Sequence, residues 1–145
     1  MLKKKVHIYT DGACRGNPGI GGWGASLHYN GTTKEIYGGE QLTTNNRMEM
    51  TAVIKALSLL KEPSNLTINS DSKYIIDGIN QWLPNWKKRN WKTTSKKPVK
   101  NVDLWQQMDQ LLQQHQVNWV WVKGHSGNLG NERADELANM GIDSL

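Results

Sequence analysis

The sequence predicts an α/β domain built on a five-stranded mixed sheet, and three observations carry that expectation. Two apolar-alternating runs end alike, Ile8-Tyr9-Thr10-Asp11-Gly12 and Ile68-Asn69-Ser70-Asp71-Ser72, as strands would that deliver aspartates side by side to one sheet edge. Asn30-Gly31 stands between two further extended runs, the strongest short signal for a β-hairpin. Segments of helical period separate the later strands, the alternation that places helices over a sheet.

In chain order, residues 5–11 alternate Val6 and Ile8 against His7 and Tyr9, a two-residue period that reads as strand one. Residues 12–22 read as a glycine-rich loop, with turn chemistry in Arg15-Gly16-Asn17-Pro18-Gly19. The loop matches neither the dinucleotide nor the P-loop glycine pattern, because no helix-opening Gly-Lys-Ser follows. Residues 23–29 and 33–38 form strands two and three, antiparallel across the hairpin. Thr43, Thr44, Asn45 and Asn46 then offer helix caps, and Asn46 with Glu49 has capping-box spacing. Met48, Ala52, Ala56, Leu59 and Leu60 recur at helical spacing until Pro63, with few charges between them, so this helix is expected to be well buried.

Residues 66–71 form strand four, and a short helix follows over 73–80. Residues 81–101 hold Trp82, Trp86 and Trp91 among Lys87, Lys88, Arg89, Lys92, Lys96, Lys97 and Lys100, with no acid in the segment. A helix over 102–115 turns Leu104, Met108, Leu111 and Leu112 inward. Strand five spans 117–122 with Val117, Trp119 and Trp121 on one side, and a last helix runs from about Asn131 to Met140. Strands one to three are an antiparallel meander, and right-handed crossovers place strand four beside strand one, with strands four and five parallel to it.

A chain of 145 residues is one domain, residues 1–145, large enough for a single core. A formal charge of +5 and a pI near 9.4 suit an acidic partner without naming it. Cys14 is the only cysteine, which excludes intramolecular disulfides and multi-cysteine zinc sites. Lys3, Lys4 and Lys5 imitate the start of a signal peptide, but His7, Thr10 and Asp11 break the apolar run after them. No run approaches the ~18 apolar residues of a membrane span, and a cytoplasmic location is expected.

Either aspartate alone reads most simply as a turn initiator. The duplicated context argues otherwise, since two carboxylates at one edge raise each other's pKa unless a cation or proton lies between them. Glu49, near the start of the first helix, has a capping role open to it as well as a ligand role. Glu132, Asp135 and Glu136 share a face of the last helix, and spacing does not choose among them. Oxygen ligands without a cysteine set point to a hard cation, Mg²⁺ or, as a substitute, Mn²⁺. Two such ions ~4 Å apart would serve phosphodiester hydrolysis. His125, between glycines before the acidic helix, suits a proton shuttle; His7, His28 and His115 read as ordinary strand and helix-end residues. Trp82 and Trp86, one turn apart, read either as a satellite core or with the cations as a nucleic-acid grip, which would bind phosphates without sequence preference.

The residues resemble ribonuclease H of type 1 in its bacterial form, over nearly the whole chain. The resemblance rests on Tyr9-Thr10-Asp11-Gly12-Ala13-Cys14-Arg15-Gly16-Asn17-Pro18-Gly19, on Thr43-Thr44-Asn45-Asn46-Arg47-Met48-Glu49 and on Ser70-Asp71-Ser72. Trp86-Lys87-Lys88-Arg89-Asn90-Trp91-Lys92-Thr93, Pro98-Val99-Lys100-Asn101-Val102-Asp103-Leu104-Trp105, and Gly124-His125-Ser126-Gly127 with Asn131-Glu132-Arg133-Ala134-Asp135 complete it. It implies a ribonuclease H-like fold and endonucleolytic hydrolysis of the RNA strand of RNA/DNA hybrids with two metal ions, leaving 3′-hydroxyl and 5′-phosphate ends. By matching position, Asp11, Glu49, Asp71 and Asp135 would hold the metals, and His125 would assist proton transfer or product release. Cys14, Asn17 and Asn45 would touch the minor groove of the hybrid, where 2′-hydroxyls mark RNA. Thr44 and Asn101 would hold a DNA phosphate. The segment with Trp82, Trp86, Lys87, Lys88, Arg89 and Trp91 would be the basic protrusion that grips the DNA strand.

Two positions depart from the pattern. Leu42 stands where many relatives carry an arginine of the phosphate pocket, and Lys73 where they often carry a neutral contact residue. With no separate hybrid-binding domain in front, the protrusion is expected to supply the grip. A monomer with no obligate protein partner is the expectation. The rival classes are a non-catalytic hybrid-binding module and a nuclease of the same superfold that cuts duplex DNA.

Overall fold

A computed structural model describes residues 4–124 and 127–145. The strands are β1 (Lys4–Arg15), β2 (Gly19–Tyr29), β3 (Thr32–Thr43), β4 (Ser64–Ser70) and β5 (Gln116–Trp121). They form one sheet in the order β3-β2-β1-β4-β5. The β1–β2 and β2–β3 pairs are antiparallel, and β1–β4 and β4–β5 are parallel. The expected mixed five-stranded sheet is therefore present. Asn30 and Gly31 take φ of 49° and 80°, the left-handed pair that a tight hairpin turn needs.

Helix α1 (Asn45–Ser58) crosses from β3 to β4. Met50, Val53, Ala56 and Leu57 share one core cluster with Val6, Ile8, Leu66 and Ile68 of the sheet, and Met48 and Ala52 are also fully buried. A short helix α2 (Lys73–Asp77) runs through a π-helical turn, Gly78–Trp82, into α3 (Leu83–Lys88). Helix α4 (Val102–Leu112) packs beside α1, and α5 (Leu129–Asp143) packs on β1, β2 and β3. Trp105 is the largest fully buried side chain. Its ring lies where a Cβ on residue 78 would stand, so the turn into the protrusion must carry Gly78.

The glycine-rich loop expected over residues 12–22 is mostly strand. β1 continues to Arg15 and β2 begins at Gly19, leaving only a tight turn with Gly16 at φ 85°. The glycines serve close approach rather than flexibility. A Cβ on Gly24 would lie 2.5 Å from Leu137 Cβ of α5, and one on Gly12 would meet the backbone of Met48 and Glu49 in α1. Gly24 pairs with Asp11, one position from Gly12, so the pleat sends the two approaches to opposite faces. The sheet is thus clamped between α1 and α5 near the end where Asp11 emerges.

Helix bounds also differ from expectation. Thr44 is the N-cap of α1, its Oγ1 accepting from the Arg47 N–H at 3.3 Å, so the capping box of Asn46 and Glu49 does not form. Helix α4 ends at Leu112, and α5 extends past both expected ends under an Asn128 cap.

Candidate active site

The aspartates of the two similar strands meet as their register requires. β1 and β4 run parallel with Ile8 beside Ile68 and Thr10 beside Ser70, which puts Asp11 and Asp71 at the shared carboxyl edge. Glu49, released from capping, reaches them from the second turn of α1. Oxygens of Asp11, Glu49 and Asp71 all lie within 4.8 Å of one another. Asp11 and Glu49 are buried, and Glu49 Oε2 has no hydrogen-bond partner among the described residues.

Such crowding weakens the acids. Burial, and then the Asp71 carboxylate, push the Asp11 carboxyl from 3.8 up to about 8, although Glu49 and the Gly12 N–H, which donates to Asp11 Oδ1 at 2.8 Å, oppose the rise. Burial, then Asp11 and Asp71, hold Glu49 well above the usual carboxylate range. Three acids this close, one with an orphaned buried oxygen, form a charge set that calls for protons or a cation to complete it. An all-oxygen donor set of this kind fits a hard divalent ion.

On α5, Asp135 is half-buried while Glu132 and Glu136 are exposed, and Asp135 adds to the rise at Asp11. It therefore faces the cluster without joining the three closest oxygens. Glu136 turns to Arg133, which also forks onto Glu35 of β3 at 2.7 and 2.9 Å. A Cβ on Gly124 would lie 3.1 Å from Asp71 Oδ2, so the chain after β5 returns to the site. His125 lies outside the described residues.

Beside the carboxylates, Asn17 Oδ1 accepts from the Asn45 N–H at 3.2 Å, and the Cys14 thiol donates to the Gly16 and Thr43 carbonyls at 2.7 and 3.5 Å. Cys14, Asn17, Thr44 and Asn45 thus form one surface at the start of α1. Asn101, before α4, joins its far side through Arg47, whose guanidinium donates to Asn101 Oδ1 at 3.2 Å. Leu42, near the end of β3, is 75% exposed. Lys73 folds over the Trp121 ring, 4.9 Å from its centroid.

The tryptophans of residues 81–101 form the expected aromatic satellite of the core. The Trp82 and Trp86 rings meet tilted with centroids 5.8 Å apart, Trp86 meets Trp105 edge-on at 5.4 Å and Tyr74 meets Trp82 tilted at 5.9 Å, an aromatic cluster joined to the main core. The cations are exposed around it. One of them has an acid partner after all: Lys87 Nζ lies 3.3 Å from Asp109 of α4, a pairing invisible within residues 81–101 because the acid comes from the next helix.

The RNase H family model matches residues 3–143. The chain belongs to the RNase H family. Among relatives, it is 63% identical over 142 residues to the Ribonuclease H of Alcanivorax borkumensis, covering 98% of this chain and 94% of that one. It is 64% identical over 143 residues to that of Francisella tularensis subsp. novicida, covering 99% and 94%. In structure it is similar to LC9-RNase H1, a type 1 RNase H with the type 2 active-site motif, with a TM-score of 0.89 at 33% identity over 99% of this chain and 74% of that chain. LC11-RNase H1, solved in complex with RNA/DNA hybrid, matches with a TM-score of 0.75 at 26% identity over 96% and 97%. Membership makes this chain a metal-dependent nuclease.

Sequence reasoning passed over Arg47, Tyr74 and Trp105 as site-supporting residues. Arg47 had a sequence signal, its place between the cap and Glu49. The meeting of Tyr74 with Trp105 had none, because it depends on α2 and α4 coming together.

Proposed function

We propose that the protein hydrolyses the RNA strand of RNA/DNA hybrids as a single domain, with two Mg²⁺ ions, leaving 3′-hydroxyl and 5′-phosphate ends. The observation that carries this is the convergence of Asp11, Glu49 and Asp71 with oxygens within 4.8 Å, two of the three with their pKa raised above the ordinary carboxylate range. Asp11, Glu49, Asp71 and Asp135 would hold the ions, with Mn²⁺ a substitute. When bound, such ions lower the pKa of water and stabilise charge on a phosphodiester.

The chain's own groups do the rest. Asp11 and Glu49, fixed by β1 and α1, would hold the cations as carboxylates, the form a metal ligand must take. Cys14, Asn17 and Asn45 meet the minor groove, where 2′-hydroxyls distinguish the RNA strand. Thr44 and Asn101 hold a DNA phosphate and so orient the duplex across the carboxylates. Lys88 and Arg89 lead the phosphate contacts of the protrusion, with Lys87 shared with Asp109, the Trp82 and Trp86 rings as its base and Trp91 beside them on the chain. His125 serves proton transfer or product release. Among the described residues no helix is long and apolar enough to cross a membrane; our reading is of a cytoplasmic monomer that needs no protein partner.

The test is a substrate panel of labelled RNA/DNA hybrid, duplex DNA and duplex RNA, each with Mg²⁺ or EDTA. Cleavage confined to the RNA strand of the hybrid and abolished by EDTA is expected. Cleavage of duplex DNA, or binding of hybrid without cleavage, would overturn the reading.

A further inference from the structure

Asn101 sits in the left-handed region, φ 60° and ψ 29°, immediately before α4, and its side chain does not cap that helix. The amide is instead engaged at both ends. Arg47 Nη1 donates to Asn101 Oδ1 at 3.2 Å, while Asn101 Nδ2 donates to the Tyr74 hydroxyl oxygen at 3.2 Å. Each end is itself fixed. Asp103 receives Arg47 Nη1 at 3.0 Å and Nη2 at 2.8 Å, which orients the guanidinium. Trp105 Nε1 donates to the same Tyr74 oxygen at 3.2 Å, and Trp105 is fully buried.

The donor inventory makes this arrangement directional. A guanidinium and an indole N–H can only donate. Arg47 therefore demands the carbonyl end of the Asn101 amide. Tyr74, already accepting from Trp105, accepts from the amide's nitrogen end. Asn101 NH₂ carries two N–H groups, and the bond to Tyr74 uses one. The second is a donor whose side of the amide has been decided by Arg47. A phosphate oxygen only accepts, so an amide turned end for end would present it with lone pairs instead of a donor.

From this geometry we infer that Arg47 is a positioning residue for substrate binding: through Asn101 it sets the amide so that a donor, not an acceptor, meets the phosphate of the DNA strand. The inference rests on the reading that Thr44 and Asn101 hold that phosphate. It also joins two parts of the site, because Arg47 lies between the Thr44 cap and Glu49 at the start of α1. Tyr74 is the second clamp on the same amide.

Steady-state kinetics and equilibrium hybrid binding on Arg47→Met, Asn101→Ala and the double variant test it, with thermal unfolding as a check on folding. Arg47→Met should raise KM and Kd on the order of tenfold, the scale of one hydrogen bond to a charged group, with kcat little changed. In the Asn101→Ala background the same substitution should add nothing. An equal effect in both backgrounds would overturn the relay, because Arg47 would then act on phosphate directly. An unchanged KM in Arg47→Met, with KM raised in Asn101→Ala, would overturn the relay while leaving the phosphate pocket standing. An unchanged KM in Asn101→Ala would remove both. Asp103→Asn gives an independent sign, read on a variant that keeps Arg47. It deletes a carboxylate that repels phosphate but frees the guanidinium, so the relay predicts weaker binding and a charge-only role predicts tighter binding.

Discussion

Asn17 Oδ1 accepts the backbone N–H of Asn45 at 3.2 Å, which ties the β1–β2 turn to the first residue of α1. The bond bridges the strand that carries Asp11 and the helix that carries Glu49, next to both. Asn17→Ala removes it at an exposed position, so stability should fall by only about 1 kcal/mol. The surface proposed to meet the minor groove would be reshaped and would also be missing one polar group. KM for the hybrid should therefore rise several-fold, while kcat changes less. Steady-state kinetics with a hybrid of fixed sequence checks this, and an unchanged KM would separate the turn from recognition.

The three-carboxylate cluster predicts an unusual dependence of stability on pH. The native Asp11 carboxyl titrates near 8, against 3.8 for the free side chain. Between those values the folded protein keeps a proton that the unfolded chain releases. Stability from this group is thus fully present below about pH 4 and is lost as pH rises through about 8. Denaturant unfolding in EDTA should show stability falling from pH 5 to pH 8 relative to Asp11→Asn, in which the slope is reduced. Adding Mg²⁺ should stabilise the wild type more at pH 8 than at pH 6, because the ion replaces the protons.

The protrusion predicts a graded response to charge removal. Lys87 is paired with Asp109, whereas Lys88 and Arg89 have exposed side chains on the same short helix end. Replacing Lys87, Lys88 and Arg89 together by Ala should weaken hybrid affinity and flatten its salt dependence by about one unit of slope for each phosphate that is no longer neutralised. Among single variants, Lys88→Ala should cost more than Lys87→Ala. Asp109→Asn should tighten binding by freeing Lys87. Affinity measured across a salt series distinguishes these outcomes, and an unchanged slope in the triple variant would make the segment a solvated surface.

What could be read from the sequence was local chemistry and repetition. Asn30-Gly31 announces its own turn, and the likeness of Ile8-to-Gly12 and Ile68-to-Ser72 carries the information that β1 and β4 are parallel neighbours. Even the burial of α1 was legible, from Met48, Ala52 and Ala56 with few charges between them. The glycines of residues 12–22 were not legible as strand. Gly22 is glycine because α5, more than a hundred residues later, lies against it, and nothing nearby in sequence distinguishes that need from a turn's. Glu49 posed the same difficulty, since a capping role and a ligand role demand the same residue type. Only the start of α1 at Asn45, capped by Thr44, decides that it points to Asp11. The Lys87–Asp109 pair and the Arg47–Asn101–Tyr74 set join separate elements and have no local signature.

The most direct measurement of the central claim is the rate of Mg²⁺-dependent hybrid cleavage by Asp11→Asn, with hybrid affinity and thermal stability measured on the same preparation. Cleavage should fall by roughly three orders of magnitude or more, since a group essential to electrostatic stabilisation is removed, with affinity within a few-fold and the fold intact. A variant that binds the hybrid and cuts it at the normal rate would contradict it.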